Sequence, residues 1–339
     1  MAFLFQYDPL PFTILIAIVL LSITGFKIYK HKSRTIPISV NYFFSRKCNK
    51  TCGFCFHTAK TSYILPEADA KRGLRLLREA GMQKINFAGG EPFLYPKFLA
   101  KMLEYCKQDL QLESVSIVTN GSKVTERFLR DYGAYIDVLA VSCDSFDEKT
   151  NIAIGRGDGD NVAQLFKIRD WCRTFNIKFK LNTVVNRLNF NEDMASHIER
   201  LAPFRWKAFQ VLMVRGENDS EHTLTDVRKF EISDQEYGVF CDRHKHIPFF
   251  IPEDNRVMAS SYLLLDEYMR FLDKGEGVMK ESESLLDVGV EKALKQVKWD
   301  QESFHERGGV YDWSKEVASG QLGGEGCGVD EEKRKELEW

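Results

Sequence analysis

From residue 38 onward the chain alternates between two hydrophobic rhythms. Short β-branched and aromatic runs at 39–44, 84–88, 114–119, 138–143, 179–184 and 207–214 read as strands. Between them, apolar residues spaced three to four apart at 67–80, 96–108, 125–132, 162–175 and 192–201 read as helices. Leu74 and Leu77 mark the buried face of the first helix, and Gly81 marks its stop. Alternating strand and helix predicts an α/β fold with a parallel sheet and right-handed crossovers. Six such units close partly into a TIM-like barrel or stay open as a doubly wound sheet. In either case a site belongs at the carboxyl ends of the strands. After about residue 214 the rhythm stops: 216–225 reads as a polar loop, 262–271 as a helix, and 319–328 as a glycine-rich tail.

A different pattern opens the chain. Residues 9–26 carry no charge, and 14–21 is an unbroken apolar run. As a helix this stretch reaches roughly 27 Å at ~1.5 Å per residue, close to the thickness of a thin endoplasmic-reticulum bilayer. It is apolar on all sides, unlike an amphipathic surface helix. Lys27, Lys30, Lys32 and Arg34 follow it, a bias that keeps the C-terminal side in the cytosol, and it lacks the signature of a cleaved signal peptide. The expectation is a membrane anchor carrying a cytosolic body; a buried helix of a soluble protein is the competing reading. The organisation expected is an anchor with its basic flank at 1–35, an alternating core at 36–215, a C-terminal region at 216–318 and a flexible tail at 319–339 that ends in Trp339.

Composition narrows the classes without choosing one. The 339 residues include 47 Lys and Arg against 49 Asp and Glu, with 44% hydrophobic residues. That balance excludes a disordered chain, a collagen-like repeat and a polytopic membrane protein. A net charge of −2 gives no global attraction to nucleic acid, so any anion site is local. Eight cysteines are too few for a disulfide scaffold. Cys106, Cys143, Cys172, Cys241 and Cys327 are scattered, mostly among apolar neighbours, as small core residues are.

Cys48, Cys52 and Cys55 are different: all three fall within eight residues, directly after the first strand. Three thiolates on one loop can ligate three irons of a [4Fe–4S] cluster and leave the fourth open. Zinc with His57 as a fourth ligand competes, as do free thiols. With Phe54 as the aromatic, Cys-x3-Cys-x-aromatic-Cys resembles the signature of radical S-adenosylmethionine (SAM) enzymes. Gly89-Gly90-Glu91-Pro92, directly after the second strand, resembles the turn that contacts the SAM amino group in that superfamily. Glycines let backbone approach a ligand, and carbonyls and a carboxylate accept from an ammonium.

The match narrows further. The cysteine loop together with Ile85-Asn-Phe-Ala-Gly-Gly-Glu-Pro-Phe93, Ser142-Cys-Asp-Ser-Phe-Asp147, Ile154-Gly-Arg-Gly157, Asp266-Glu-Tyr-Met-Arg-Phe271 and the final Leu337-Glu-Trp339 resembles the viperin family. The resemblance implies the partial (βα)6 barrel of the radical SAM type, a [4Fe–4S] cluster held by Cys48, Cys52 and Cys55, and SAM as cofactor. It implies conversion of cytidine triphosphate (CTP) to 3′-deoxy-3′,4′-didehydro-CTP (ddhCTP), an antiviral chain terminator. A 5′-deoxyadenosyl radical takes the ribose 4′ hydrogen, and the 3′ hydroxyl leaves as water. UTP or GTP as substrate is the near alternative, and a membrane-associated interaction protein with a structural cluster is the distant one. The molybdenum-cofactor GTP cyclase, which needs a second cluster on C-terminal cysteines, fits poorly, since only Cys241 and Cys327 lie there.

By the same resemblance, SAM contacts fall on Phe54, Gly89, Gly90, Glu91, Thr119, Ser142 and Arg156, whose guanidinium suits a carboxylate. Nucleotide contacts fall on Asn41, Lys84, Lys180, Asn182, Arg205 and Lys207, with Tyr262 on a segment of the C-terminal region that closes over the substrate. Ala88 stands where animal members carry a serine, removing one hydroxyl. Strand parity adds an independent argument. Lys180 and Asn182 share one face, while Phe179, Leu181 and Thr183 share the other, and Arg205 and Lys207 pair likewise. If the apolar face meets the helices, the cations point inward, where a triphosphate would offset them; salt-bridged lysines at strand ends are the plain alternative. The resemblance places the chain on the cytosolic face of the endoplasmic reticulum and on lipid droplets, with Trp339 docking the cytosolic iron–sulfur assembly machinery. It implies no direct contact with nucleic acid.

Overall fold

The computed structural model describes residues 35–57, 61–274 and 280–315. The anchor expected near the N-terminus, Cys327 and Trp339 lie outside them. Among the described residues no helix is long and apolar enough to cross a membrane.

The core strands are β1 (Ser39–Phe43), β2 (Lys84–Ala88), β3 (Ser114–Thr119), β4 (Val138–Ser142), β5 (Lys178–Val185) and β6 (Arg205–Gln210). The crossovers carry α1 (Glu67–Glu79), α2 (Pro96–Gln108), α3 (Glu126–Tyr132), α4 (Glu148–Ile154), α5 (Asn161–Thr174) and α6 (Ala195–Leu201). Each of these strands pairs in parallel with the next. The chain then adds α7 (Asp234–His244), β7 (Phe250–Glu253), α8 (Asn255–Ser261), β8 (Leu263–Leu265), β9 (Arg270–Asp273) and β10 (Lys280–Ser284). The full order is β10-β9-β8-β1-β2-β3-β4-β5-β6-β7. β7 extends β6 in parallel, and β8 flanks β1 in parallel on the other side. Among the described strands only β9 is reversed, pairing antiparallel with β8 on one side and β10 on the other.

Side-chain alternation divides the sheet into two faces. Phe179, Leu181 and Thr183 of β5 and Trp206 and Ala208 of β6 are buried on the helix side. Trp206 lies against Phe240 of α7 and Phe250, and its indole N–H donates to Thr183 Oγ1 at 3.0 Å. With Trp206 on that side, Arg205 and Lys207 must face the other way. There, side chains of β8 and β1 to β6 surround one cavity, so the sheet curls about it as a partial barrel.

Three departures from the sequence expectation have local causes. The stretch 262–271 is not a helix. Tyr262 is extended, Leu263–Leu265 is a buried strand, and a turn at Met269 (φ +59°) leads into β9. Asp266 organises that turn: its carboxylate accepts from the Tyr268 and Arg270 amides at 2.9 and 2.8 Å, and from Arg270 Nε at 2.8 Å. A short apolar run satisfies either period, and tertiary pairing with β1 decides it. The sixth strand is Arg205–Gln210, ahead of the expected 207–214. The helix expected from 192 begins at Ala195, because the Glu192 carboxylate instead accepts from Ser145 Oγ at 2.6 Å and the Phe146 amide at 2.8 Å.

Trp206→Ala is expected to destabilise the chain by about 3–5 kcal/mol, through the cavity it opens and the loss of its bond to Thr183. Trp206→Phe should cost visibly less. Urea unfolding monitored by circular dichroism checks both.

Candidate active site

The cysteine loop leaves the carboxyl end of β1 with no regular structure of its own, and two glycine turns clasp it through backbone contacts. On one side, the Gly90 amide donates to Ser45 O at 2.7 Å and the Glu91 amide to Lys47 O at 2.8 Å. A Cβ at Gly90 would sit 1.9 Å from Lys47 O, and Gly89 adopts φ +129°. On the other side, the Thr51 amide donates to Gly155 O at 3.1 Å and the Gly53 amide to Ile154 O at 3.0 Å. Gly155 is at φ +83°, and its Cβ would meet Thr51 O at 2.4 Å. A third segment covers the loop. Asn218 Nδ2 donates to Phe54 O at 2.8 Å, Thr225 Oγ1 donates to Cys55 O at 2.7 Å, and Phe230 meets the Phe54 ring edge-on at 5.8 Å. Asn218, Thr225 and Phe230 were invisible to sequence reasoning, because they lie in the stretch where the periodic pattern ends.

Glu91 is buried, and three donors reach its carboxylate: the Phe93 amide at 3.0 Å, Thr119 Oγ1 at 2.7 Å and the Asn120 amide at 2.8 Å. A carboxylate offers about four lone-pair directions, so roughly one is left for an incoming ammonium. Within the protein, Glu91 and Thr119 tie the end of β3 to the glycine turn. Burial raises the Glu91 pKa, and these hydrogen bonds oppose the shift. Arg156 lies 5.8 Å above the Phe54 ring, and its Nε is 2.7 Å from Asp144 Oδ2. Asp144 is fully buried and also accepts from the Val184 amide at 2.9 Å. Burial works against the Arg156 charge, and Asp144 acts to restore it.

The donor chemistry fits an iron–sulfur cluster. Burial pushes the Cys52 thiol up to about 12 and raises Cys48 and Cys55 in the same direction, while the positive charge of Arg156 opposes all three shifts. Iron must therefore displace the protons. Among the described residues no three Cys, His, Asp or Glu side chains gather about a point as one ion requires. In a [4Fe–4S] cluster each thiolate meets a different iron. His57, the alternative fourth zinc ligand, is buried with its ring 4.5 Å from that of Phe43.

Below the loop the barrel interior holds a cavity of about 300 Å³, within the range of small-molecule sites. Alternate residues of β2 and β5 face it: Lys84, Asn86 and Ala88 of β2, and Lys180, Asn182 and Val184 of β5. Asn41 of β1, Ser142 of β4 and Lys207 of β6 join them, as do Phe54 and Cys55 from the loop. The register sets Ser142, Asn182 and Lys207 side by side. Thus the thiols, the glycine turn, Thr119 and Ser142 lie at the carboxyl ends of the strands, as expected. Of the cations, Lys84 opens β2 and Arg205 opens β6, while Lys180 and Lys207 are each third in their strand, with Lys207 level in register with Ser142.

The C-terminal region closes the cationic end with Tyr262, Lys274, Arg307 and Tyr311. Lys84 lies beneath the rings of Tyr311 and Trp313, at 5.0 and 5.1 Å. The Arg205 guanidinium stacks on Tyr311 at 4.3 Å, behind the cavity wall rather than on it. Burial drives these lysines toward neutrality: Lys84 falls to about 7, Lys207 and Lys274 to about 8, and Lys180 well below its ordinary value. Asn182 Oδ1, on the cavity wall, is buried without a hydrogen-bond partner. The cavity therefore suits an anion with polar substituents. Lys274, Arg307 and Tyr311 carried no local motif, and only the fold brings them to the site.

Residues 42–225, which span the cysteine loop, both clasping turns and β2 to β6, match the Radical SAM superfamily. The fold is similar to that of Streptococcus suis SuiB bound to S-adenosylmethionine, with a TM-score of 0.59 and 17% identity over 90% of this chain and 74% of that one. It is also similar to anSMEcpe with bound AdoMet, with a TM-score of 0.56 and 14% identity over 80% of this chain and 79% of the other. Those two likenesses concern the fold alone. The chain is a radical SAM enzyme, with SAM and a [4Fe–4S] cluster as its cofactors.

Its relatives place it more closely. It is 54% identical over 283 residues to the S-adenosylmethionine-dependent nucleotide dehydratase RSAD2 of Oncorhynchus mykiss, covering 82% of this chain and 81% of the relative. It is 55% identical over 285 residues to the protein of that name from Danio rerio, covering 83% and 79%. A nucleotide dehydratase of Lacinutrix mariniflava is 40% identical over 81% of this chain and 59% of its own length. The chain belongs to the viperin family of SAM-dependent nucleotide dehydratases.

Gly90→Ala forces a Cβ into Lys47 O and should displace the ligand loop. The expected outcome is roughly a 10-fold or greater loss of cluster affinity, the scale seen when groups orienting metal ligands are disturbed. Gly238→Ala, whose Cβ meets nothing within 4 Å, serves as the control. Iron and sulfide content with visible absorbance after anaerobic reconstitution provides the measurement.

Proposed function

We propose that this enzyme converts CTP to ddhCTP, with the triphosphate at the amino ends of the strands and the ribose beneath the cysteine loop. The observation that carries the reading is the polarity of the cavity: Lys84 lines it at the amino end of β2, and the thiol loop lines it beyond the carboxyl end of β1. From Lys84 to Ala88 a strand rises roughly 13 Å at ~3.3 Å per residue. That length accommodates a triphosphate and brings the sugar toward the thiol end.

Cys48, Cys52 and Cys55 would hold the cluster, with Gly89, Gly90, Thr119, Ser142 and Arg156 around SAM. Bound together, these two cofactors supply the chemistry that removes a hydrogen atom from the substrate. The chain's own part is placement. Lys84, Lys180, Lys207, Lys274 and Arg307 meet the phosphates, and phosphate charge returns to the lysines the protons that burial disfavours. Asn41, Asn86 and Asn182 present amides to the sugar and base, while Phe43, Phe54 and Val184 keep water from the upper cavity. The choice of CTP over other triphosphates rests on the viperin resemblance of the contact positions.

We further propose that residues 1–34 anchor the enzyme to the cytosolic face of the endoplasmic reticulum, and that Trp339 docks the iron–sulfur assembly machinery. Removing residues 1–34 should move the enzyme from the membrane to the cytosolic fraction with turnover retained. Removing Trp339 should lower cluster occupancy in cells but not after chemical reconstitution. Unchanged fractionation or unchanged cellular occupancy would reject the respective role.

The substrate assignment is tested by anaerobic incubation of the reconstituted enzyme with SAM, a reductant and each of the four nucleoside triphosphates in turn. CTP is expected to raise 5′-deoxyadenosine formation at least about 10-fold over no nucleotide, the order set by 1.4 kcal/mol of productive binding. Stimulation by UTP or GTP in place of CTP would reassign the base, and none by any nucleotide would end the proposal.

A further inference from the structure

Glu253, the last residue of β7, is 1% exposed and stands behind the cavity wall, not on it. Three groups that do line the cavity converge on its carboxylate. Lys207 Nζ donates to Oε1, Arg307 Nη1 approaches the same oxygen at 3.4 Å, and the Tyr262 hydroxyl donates to Oε2. Lys207 also donates to the Tyr262 hydroxyl at 2.9 Å, and the Arg307 guanidinium lies 3.9 Å above the Tyr262 ring. One carboxylate thus ties together three donors from β6, the end of α8 and the segment after the last described helix (Gln301–Glu306).

By charge alone, a carboxylate behind an anion site ought to weaken it. The crowding of the lysines reverses that expectation. Glu253 acts to raise Lys180, Lys207 and Lys274 against burial and mutual repulsion. Without it, an ammonium is more readily lost as a neutral amine than gained as free positive charge. Burial opposes the charge of Glu253 too, but Lys207 and Arg307 hold its carboxyl below its ordinary value. Tyr237 and Tyr311 are the other titratable groups within its electrostatic reach, and both stay protonated well above neutrality.

We propose that Glu253 is a positioning residue for the phosphates of the substrate, fixing Lys207, Arg307 and Tyr262 as one donor array aimed into the cavity. This rests on the triphosphate reading of the site. Glutamine cannot replace it: its side chain has one acceptor oxygen, and its amide nitrogen would face donors. The Tyr262 hydroxyl cannot take up the deficit readily, because it already accepts from Lys207.

The test measures binding of CTP, CDP and cytidine to the reconstituted full-length enzyme by equilibrium dialysis at pH 7 and 8.5, with steady-state kinetics alongside. Glu253→Gln should raise the CTP Kd by about 10-fold at pH 8.5, equivalent to roughly 1.4 kcal/mol, and by less at pH 7. Cytidine binding should be unchanged, CDP should fall between, and KM should rise with kcat held within about twofold. Glu253→Asp, which keeps the charge but shortens its reach, should lie between wild type and Gln. Unchanged or tighter CTP binding in Glu253→Gln would overturn the assignment, as would equal losses for CTP and cytidine. If the wild type binds CTP no better than cytidine, the triphosphate reading fails and this inference falls with it.

Discussion

The constraint on which the molecule depends is the two-residue repeat of its parallel strands. Each strand must send one set of side chains to the helices and the other into the barrel. On β6 the single step from Trp206 to Lys207 passes from a buried aromatic cluster to a cation on the cavity wall. A one-residue slip would bury Lys207 among Phe240 and Phe250 and turn the indole into the site. The packing of Trp206 therefore holds β6 in register and aims its charges at once. The same division on β5 separates Leu181 from Lys180 and Asn182, so core and site share every strand.

Given that division, the interior has to tolerate a concentration of positive charge. Ion pairs compensate part of it: Lys207 and Arg307 meet Glu253. Aromatic faces shelter another part, with Tyr311 and Trp313 over Lys84 and Tyr311 over Arg205. What is left shows as lysines drawn toward neutrality. That imbalance favours a polyanion. It also explains why the C-terminal region belongs to the same sheet as the core: without Tyr262, Lys274 and Tyr311 the cationic end would open to solvent.

The sequence showed the parts of this arrangement that follow local rules. The strands of the core and the parity of Lys180 and Asn182 follow from periodicity, and the cysteine triplet and Gly89-Gly90-Glu91 from short motifs. Residues whose role arises from distant pairing stayed hidden. Glu253 is an ordinary acid at a strand end until Lys207, Tyr262 and Arg307 converge on it, across sequence separations that no window covers. The region 262–271 was misread for a related reason. Three leucines suit a helix as well as a buried strand, and pairing with β1 plus the Asp266 turn selects the strand. Arg205 faces inward as its parity requires, yet Tyr311 stands between it and the cavity, which parity alone does not foresee.

The two ends of the cavity are built from different materials, and the chemistry each must support accounts for the difference. At the thiol end, fixed backbone does the work: the Gly90 and Glu91 amides on Ser45 and Lys47, and the Thr51 and Gly53 amides on Gly155 and Ile154. Such contacts do not titrate, and glycines at the crossings leave no side chain that could rotate away. A cluster whose ligands must keep their spacing through reduction and oxidation is well served by a loop held this way. At the cationic end, titrating side chains do the work, and their charge depends on what they face. A rigid end for the cofactor and an adjustable end for the anion thus divide one cavity, with the inward faces of β2, β5 and β6 as the link between them.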